Sequence, residues 1–199
     1  MQFFKLRATN INPSFVVDQD NEKVISSMIR YFSDYLDCDI SPNKGILLMG
    51  SVGTGKTTIF EVFKSIINQS KKPYDIKVVN VYGLYQAIRD ERDKILDVLD
   101  RIKGTGDGGY RVYGGANIHE YVLDDLGMDP IVKAYGNEVD LSGEIVYQRY
   151  SLFINNRIKT HATTNLSVTE IKARLGERVY DRMKEMFNIL ILSGDSRRK

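Results

Sequence analysis

Gly50-Ser-Val-Gly-Thr-Gly-Lys-Thr57 is a glycine-rich stretch that follows directly on an apolar run from Ile46 to Met49. It matches the pattern G-x-x-x-x-G-K-[ST], in which the glycines let main-chain N–H groups approach a polyphosphate closely. In such a loop the lysine reaches the β- and γ-phosphates, and the Ser or Thr hydroxyl ligates Mg²⁺. The pattern therefore predicts a strand, a phosphate-binding loop, and a helix whose N-terminus points at the phosphates.

We expect this loop to bind a nucleotide together with Mg²⁺. Lys56 is assigned to catalysis as well as to binding, and Thr57 is assigned to the metal. A glycine turn that merely joins a strand to a helix is the structural alternative, and it needs neither lysine nor threonine at these positions. The predicted nucleotide-binding residues are Gly50, Ser51, Val52, Gly53, Thr54, Gly55, Lys56, Thr57 and Thr58.

The composition fits a single globular domain spanning residues 1–199. Of its 199 residues 42% are hydrophobic, which is enough for one core. The 28 Lys and Arg nearly balance the 26 Asp and Glu, so any contact with DNA needs a local basic patch. Cys38 is the only cysteine, which excludes an intrachain disulfide and fits a reducing compartment. With neither a signal-peptide core nor a membrane span apparent, we expect a cytoplasmic protein without membrane contact.

Two acids end another apolar strand, Tyr121-Val-Leu123, at Asp124 and Asp125. At the carboxyl edge of a parallel sheet, beside a phosphate loop, the first acid holds the hydration shell of Mg²⁺ and the second polarises the attacking water. We therefore predict Asp124 as a metal residue, with Thr57, and Asp125 as a catalytic residue. A capped turn is the structural alternative.

A further strand, Lys159 to Thr164, is followed by Asn165. A polar side chain there lies between the acids and the γ-phosphate, where it orients water or senses the phosphate, so Asn165 is predicted to be catalytic. His161 lies inside the strand and is predicted to be buried and hydrogen-bonded. Ser167 to Glu170 forms a capping box for the next helix.

That helix is predicted to be continuous, with its apolar side chains inward, and to carry arginines four residues apart on a largely common side. Such a row is either solvated or meets the phosphates of a neighbouring subunit. Arg178 and Arg182 are therefore catalytic candidates acting in trans, and surface ion pairs of these two arginines with Glu177 and Asp181 are the alternative. The row consists of Arg174, Arg178 and Arg182.

The strands near residues 46, 77, 121, 160 and 189 alternate with helices. This predicts an α/β three-layer sandwich with a sheet of five parallel strands. Because the phosphate loop and the two acids follow different strands with one more strand between them, we predict the strand order 5-1-4-3-2. Residues 1–20 form an N-terminal extension of undefined structure, and residues 104–116 form a glycine-rich loop. The helix from about Gly83 to Lys103 interleaves basic residues with acids, which favours a solvated face over a DNA-binding one.

With these motifs in place, the chain resembles the AAA+ ATPases of the DnaC/DnaI helicase-loader and IstB-like transposition-ATPase group, from about Phe15 to Arg197. The resemblance implies a P-loop AAA+ core without a helical lid domain. We expect a trimmed member that departs from the loaders, because little more than forty residues precede Gly50 where the loaders carry an N-terminal helicase-binding domain. The resemblance makes Asp124 the metal-site acid, Asp125 the replacement for the usual catalytic Glu, and Asn165 the sensor. Arg178 and Arg182 become arginine-finger candidates. The motifs are Gly50 to Thr57, Asp124-Asp-Leu-Gly127, Arg149-Tyr150, Thr163-Thr-Asn-Leu166 and Leu175 to Met183.

We therefore expect an ATPase of DNA replication or transposition, slow and stimulated by assembly. The implied partners are ATP, further copies of this chain, a replicative helicase or transposase, and single-stranded or double-stranded DNA. The alternative is a nucleotide-gated binding protein or switch, because Asp125 is one methylene shorter than Glu and then hydrolyses negligibly. A small-molecule P-loop kinase is a third interpretation, although no lid with paired arginines is evident.

Overall fold

The structure is a computed structural model that describes residues 1–34, 37–70, 72, 74–90, 118–134 and 137–197. Its strands are β1 (Gly45–Met49), β2 (Tyr74–Asn80), β3 (Ile118–Asp124), β4 (Val132–Ala134), β5 (Asn137–Val139), β6 (Thr160–Thr164) and β7 (Phe187–Ile191). Its helices are α1 (Gln2–Ile11), α2 (Glu22–Phe32), α3 (Lys56–Asn68), α4 (Val81–Asp90), α5 (Leu141–Asn156), α6 (Val168–Leu175) and α7 (Glu177–Met186).

Five of the strands form one parallel sheet in the order β2-β3-β6-β1-β7. When these strands are numbered by sequence, the order reads 2-3-4-1-5, so the predicted order 5-1-4-3-2 is confirmed. The remaining two strands, β4 and β5, form a separate antiparallel hairpin. The sequence patterns did not indicate this hairpin or the bounds of α5.

The sheet is covered by helices on both faces, as the three-layer prediction requires. Successive side chains of β1 point to opposite faces, because a strand alternates with a period of two. Leu47 packs into a core with residues of α5, α6 and α7. Ile46 and Leu48 pack into a second core with residues of α1, α2 and α3. All five residues of β1 are buried, so this strand is the centre of the molecule.

The N-terminal residues, whose structure the sequence left undefined, form α1. Phe4 and Ala8 are its buried residues, and the Phe4 ring lies 5.1 Å from the Phe63 ring of α3. α1 is thus part of the second core. The predicted glycine-rich loop 104–116 and the predicted continuation of α4 to Lys103 lie outside the described residues.

The prediction of one continuous helix after Asn165 is wrong, because Gly176 separates α6 from α7. Its backbone adopts φ +88 and ψ 159, a conformation that is essentially restricted to glycine and that ends the helical hydrogen bonding. The apolar side chains of both helices still face the core, with Ile171 and Met183 fully buried. The capping box is confirmed: Glu170 N–H donates to Ser167 Oγ, and Ser167 N–H donates to Glu170 Oε2.

Among the described residues, no helical domain follows β7. None of the described helices combines the length and the apolar character that a bilayer crossing requires.

Candidate functional site

The glycine-rich loop runs from the end of β1 to the start of α3. Gly53 and Gly55 have φ values of +84 and +98, which side chains with a Cβ rarely adopt. At Gly55 a Cβ would also lie 3.1 Å from the Phe15 ring. The sequence therefore needs glycine here for the turn itself and for the close approach of a neighbouring ring.

Lys56 begins α3, yet its side chain is buried in the loop, and the residue is only 5% exposed. Its Nζ donates to the carbonyl oxygens of Gly50 at 2.7 Å and Ser51 at 2.8 Å, and to Asn165 Oδ1 at 2.7 Å. An ammonium group has three donors, and all three have acceptors here. To reach a phosphate, Lys56 would have to give up some of these contacts.

Thr57 and Asp124 lie beside each other, as predicted. Thr57 Oγ1 donates to Asp124 Oδ1 at 2.9 Å, and Thr163 Oγ1 of β6 donates to the same oxygen at 2.8 Å. Hydroxyl and carboxylate oxygens are the ligands that Mg²⁺ prefers. Thr57 and Asp124 therefore fit a magnesium ion that is completed by water and phosphate oxygens. The described residues contain no cluster of three or more His, Cys, Asp or Glu that would hold a metal by itself.

Asp125 and Asn165 also meet at this edge of the sheet. Asn165 Nδ2 donates to Asp125 Oδ1 at 3.3 Å, while its Oδ1 accepts from Lys56. Asp125 itself has a left-handed backbone, φ +58, and its N–H donates to Thr163 Oγ1 at 2.9 Å. The amide of Asn165 therefore joins the loop lysine to the second acid in one hydrogen-bonded chain.

These side chains open into a cleft of about 480 Å³. Its walls include residues that sequence reasoning did not assign to the site, and these come from four separate stretches of the chain. No local pattern marks them, because they reach the loop only through the tertiary fold. They are Asn12, Ser14, Phe15, Asn80, Tyr82, Met128 and Arg197.

Arg197, which lines this cleft, ties the end of the described chain to the segment before α2 and to the phosphate loop. Its guanidinium donates to the Asp18 carboxylate at 2.6 and 2.9 Å, and its main-chain N–H donates to the Gly53 carbonyl at 2.9 Å. The Arg197 hydrogen bond outweighs the effect of burial and holds the pKa of Asp18 below its ordinary value. The segment before α2 and the phosphate loop are thus joined through one residue.

The arginines of α6 and α7 do not line the cleft. Arg178 is exposed, and the Arg182 guanidinium lies 4.4 Å from the Tyr147 ring centroid and 5.4 Å from that of Tyr150. The alternative, in which these arginines form ion pairs with Glu177 and Asp181, is not what the structure shows. Those acids pair with lysines instead: Glu177 with Lys172 at 3.3 Å, and Asp181 with Lys184 at 2.7 Å.

His161 is fully buried, as predicted. Ile46 N–H donates to its Nδ1 at 3.1 Å, which leaves the proton of a neutral ring on Nε2, 3.0 Å from Glu120 Oε2. Burial lowers the pKa of His161, although Glu120 opposes this. Burial raises the pKa of Glu120, but His161 and Lys159 together bring it below its ordinary value. The histidine is structural and joins β6 to β1 and β3.

The fold is similar to solved structures of replication proteins. The DnaC helicase loader aligns with a TM-score of 0.60 at 20% identity, over 92% of this chain and 96% of that one. DnaI aligns with a TM-score of 0.61 at 21% identity, over 92% and 87%. AMPPCP-bound DnaA from Aquifex aeolicus aligns with a TM-score of 0.59 at 15% identity, over 91% and 48%.

No family model and no curated protein matches the chain. At these identities the likeness to solved structures establishes the fold alone. At that level it confirms the resemblance that the motifs predicted.

Proposed function

We propose that this chain, whose fold is the AAA+ core of the DnaC and DnaI helicase loaders, binds ATP with Mg²⁺ and hydrolyses it in DNA replication or transposition. The observation that carries the proposal is the hydrogen-bonded chain from Lys56 through Asn165 to Asp125, next to the Thr57–Asp124 pair. These five side chains come from the loop and from the ends of two strands. They bring a cation, a hydroxyl, a neutral amide and two carboxylates together at one edge of the sheet.

Each group has a role in this proposal. The main chain from Gly50 to Gly55 and the N-terminus of α3 bind the phosphates, and Thr58 lies in the first turn of that helix. Lys56 moves from the loop carbonyls to the β- and γ-oxygens. Asp125 accepts the proton of the attacking water, and Asn165 orients that water. Mg²⁺, held by Thr57 and Asp124, would neutralise phosphate charge.

The arginine that completes the site comes from a neighbouring copy in this proposal. Arg178 and Arg182 lie on α7 and do not line the cleft of their own chain. Cation–π contacts with Tyr147 and Tyr150 hold the Arg182 guanidinium in place, which favours it as a rigid group for a partner's γ-phosphate. Such a group accelerates hydrolysis by about 10³ to 10⁵.

The comparisons suggest what the assembly acts on. One similar protein is a helicase loader, and another is a replication initiator bound to AMPPCP and single-stranded DNA. By analogy we propose a replicative helicase or a transposase as the protein partner, single-stranded or double-stranded DNA as a ligand, and a cytoplasmic location.

The first prediction is that Asp125→Asn binds ATP and stalls. The amide keeps the shape of the side chain but cannot take a proton, so turnover falls by about 10² or more while nucleotide affinity stays close to that of the parent. Phosphate release and fluorescent-nucleotide titration measure the two effects. Parent-like turnover would leave Asp124 and Asp125 as structural residues.

The shared site is tested by mixing Asp125→Asn chains with Arg182→Ala chains, each inactive alone. Recovery of ATPase activity in the mixture is expected, because one interface then combines an intact acid with an intact arginine. A Lys64→Ala chain, altered on the exposed side of α3, serves as the matched control for mixing. Activity that is linear in protein concentration and never rescued would contradict the trans arginine.

The alternative, a nucleotide-gated switch with negligible hydrolysis, is favoured by one observation. The short Asp125 side chain contacts Asn165, so it requires a rearrangement before it can reach a water. ATP turnover of the parent, with and without single-stranded DNA, distinguishes the two functions. A switch binds nucleotide and changes its partner affinity without releasing phosphate.

A further inference from the structure

We propose that Arg174 is a positioning residue for the reaction: it holds the turn Asp125–Met128 in place and couples this turn to the helices α6 and α7. This inference deepens the proposed function and rests on it for the role of Asp125. The sequence placed Arg174 in a row with Arg178 and Arg182. The structure separates it from them, because its guanidinium points into the molecule toward the turn.

The turn needs support from outside. Asp125 has φ +58, which a residue with a side chain adopts only where surrounding contacts hold it. On the side of β6, Thr163 provides two such contacts. Its Oγ1 accepts from Asp125 N–H at 2.9 Å, and its carbonyl accepts from Leu126 N–H at 2.8 Å.

Arg174 provides the contacts on the other side. Its Nη1 donates to the Gly127 carbonyl, its Nη2 donates to the Asp129 carbonyl at 2.5 Å, and its Nε donates to Asp140 Oδ2 at 2.9 Å. Ser142 Oγ accepts from Gly127 N–H at 2.8 Å and donates to the Asp129 carboxylate. The N–H and the carbonyl oxygen of Gly127 therefore both have hydrogen-bond partners.

The charge of Arg174 is also matched to its surroundings. Asp129 is only 1% exposed, and its Oδ1 lies 3.4 Å from Arg174 Nη2. Asp140, the N-cap of α5, is the second carboxylate. A planar guanidinium donates in several fixed directions at once, and the single ammonium of lysine cannot reproduce that geometry.

The position of Arg174 in the chain also couples the turn Asp125–Met128 to α7. It lies two residues before Gly176, where α6 ends and α7 begins with the candidate trans arginines. A subunit contact that shifts α7 also shifts α6, and Arg174 transmits this shift to Gly127, two residues after Asp125. Assembly then acts on the acid through the arginine that touches its turn.

The test uses Arg174→Gln, with Lys172→Gln on the same helix as the matched control. Arg174→Gln is expected to lower kcat by about 10²-fold, the loss typical of a small misplacement of a reacting group, and to leave the affinity for a non-hydrolysable nucleotide within about threefold. Lys172→Gln is expected to change neither. A loss of affinity that equals the loss of kcat would overturn the positioning role.

Two further measurements separate positioning from general damage. In an Asp125→Asn background, Arg174→Gln is expected to have no further effect on kcat, because it acts through Asp125, whereas an additive loss overturns the proposal. Asp140→Asn preserves the cap of α5 and weakens only one contact of Arg174, so it is expected to cause a smaller loss in the same direction. If Arg174→Gln does not fold, Asp140→Asn decides instead. A folded Asp140→Asn chain with the kcat of the parent then overturns the proposal.

Hydrogen exchange provides a readout that does not depend on hydrolysis. Without nucleotide, the amides of Gly127 and Met128 are expected to exchange at least about tenfold faster in Arg174→Gln than in the parent, since their turn loses its support. Unchanged exchange refutes the inference even if the protein is an ATPase. If exchange is faster but the parent chain never hydrolyses ATP, Arg174 does hold the turn in place, and it is the proposed function that is refuted.

Discussion

Lys56 shows how one residue can be both a functional group and a local structural element. Its ammonium bonds the carbonyl oxygens of Gly50 and Ser51 in its own loop. Ser51 is exposed, so water can reach this part of the loop when the side chain is shortened. We therefore expect the fold to depend little on Lys56, and the proposed phosphate binding to depend on its charge.

The second prediction follows from this. Lys56→Ala is expected to weaken nucleotide binding by about 10²-fold and to abolish turnover, while the free energy of unfolding changes by only about 1 kcal/mol. Fluorescent-nucleotide titration and urea unfolding measure the two quantities. Lys64→Ala, on the same helix and in an exposed pair with Glu61, is the control and should behave like the parent. Parent-like affinity of Lys56→Ala would contradict nucleotide binding by this loop.

The third prediction concerns the buried His161. Its pKa in the folded protein is below the ordinary 6.5, so the unfolded chain takes up a proton near pH 6.5 and the folded chain does not. Stability is therefore highest above about pH 6.5 and falls toward pH 5, with a slope of at most about 1.4 kcal/mol per pH unit. The neighbouring charges are Glu120, Lys159 and Arg149. Burial raises the pKa of Glu120, but His161 and Lys159 hold it below its ordinary 4.5, so its own contribution is lost only at lower pH.

Urea unfolding at pH 7.5, 6.5 and 5.5 checks this expectation. His161→Gln has no ring to titrate, so its stability should be lower at pH 7.5 but should change less between pH 7.5 and 5.5. An equal pH dependence of the two proteins would assign the effect to other groups.

At the scale of elements, the break between α6 and α7 sets the direction of the arginine-bearing helix. Gly176 has no other atom within 4 Å of the place where a Cβ would be, so a side chain there meets no steric obstacle. Any cost of substitution is therefore a cost of the backbone conformation.

The fourth prediction uses this isolation. Gly176→Ala is expected to reduce the free energy of unfolding by about 1 to 3 kcal/mol, because φ +88 with ψ 159 is strained for alanine. Gly83→Ala, in the helix α4, is the matched control and should be neutral or stabilising by up to about 1 kcal/mol. Thermal or urea unfolding measures the stability of both variants. Equal stability of the two would show that the break between α6 and α7 does not depend on the backbone conformation of Gly176.

The sequence predicted those elements whose cause is local. The capping box at Ser167 and Glu170, the loop before α3, and the acids after β3 each depend on residues within a few positions of each other. Alternation of strands and helices predicted the parallel sheet, and its order was predicted from the phosphate loop and the acids following different strands with one more strand between them.

Elements and contacts whose cause is distant were missed. The apolar period continues through Gly176, so the pattern of side chains does not reveal the break in the backbone. The Arg182 position depends on tyrosines of α5, and the inward direction of Arg174 depends on acids near that same helix. Only the tertiary fold brings these groups together.

At the scale of the whole molecule, Arg197 joins the end of the described chain to the segment before α2. The fifth prediction is that Asp18→Asn and Arg197→Gln each weaken nucleotide binding by about 3- to 10-fold, because either change releases the tail from the phosphate loop. The double variant should be no worse than one single variant, since the two residues act as a pair.

A nucleotide titration of the parent and the three variants measures this coupling. Arg30→Gln is the control, because Arg30 pairs with Asp39 at the surface and does not line the cleft. Additive losses of the two single variants would show that Asp18 and Arg197 act separately.

Because β1 lies between β6 and β7 in the sheet, its strand partners are synthesised long after β1 itself. Its neighbours in the sheet come late: Ile46 bonds His161, 115 residues further on, and Ser41, just before β1, bonds Asn188, 147 residues further on. A nascent chain therefore carries β1 without a strand partner until β6 and β7 have left the ribosome, and its apolar side chains need protection from aggregation meanwhile. The glycine-rich loop, although it is encoded early, gains its contacts with Asn165 and Arg197 only after β6 and β7 have been made.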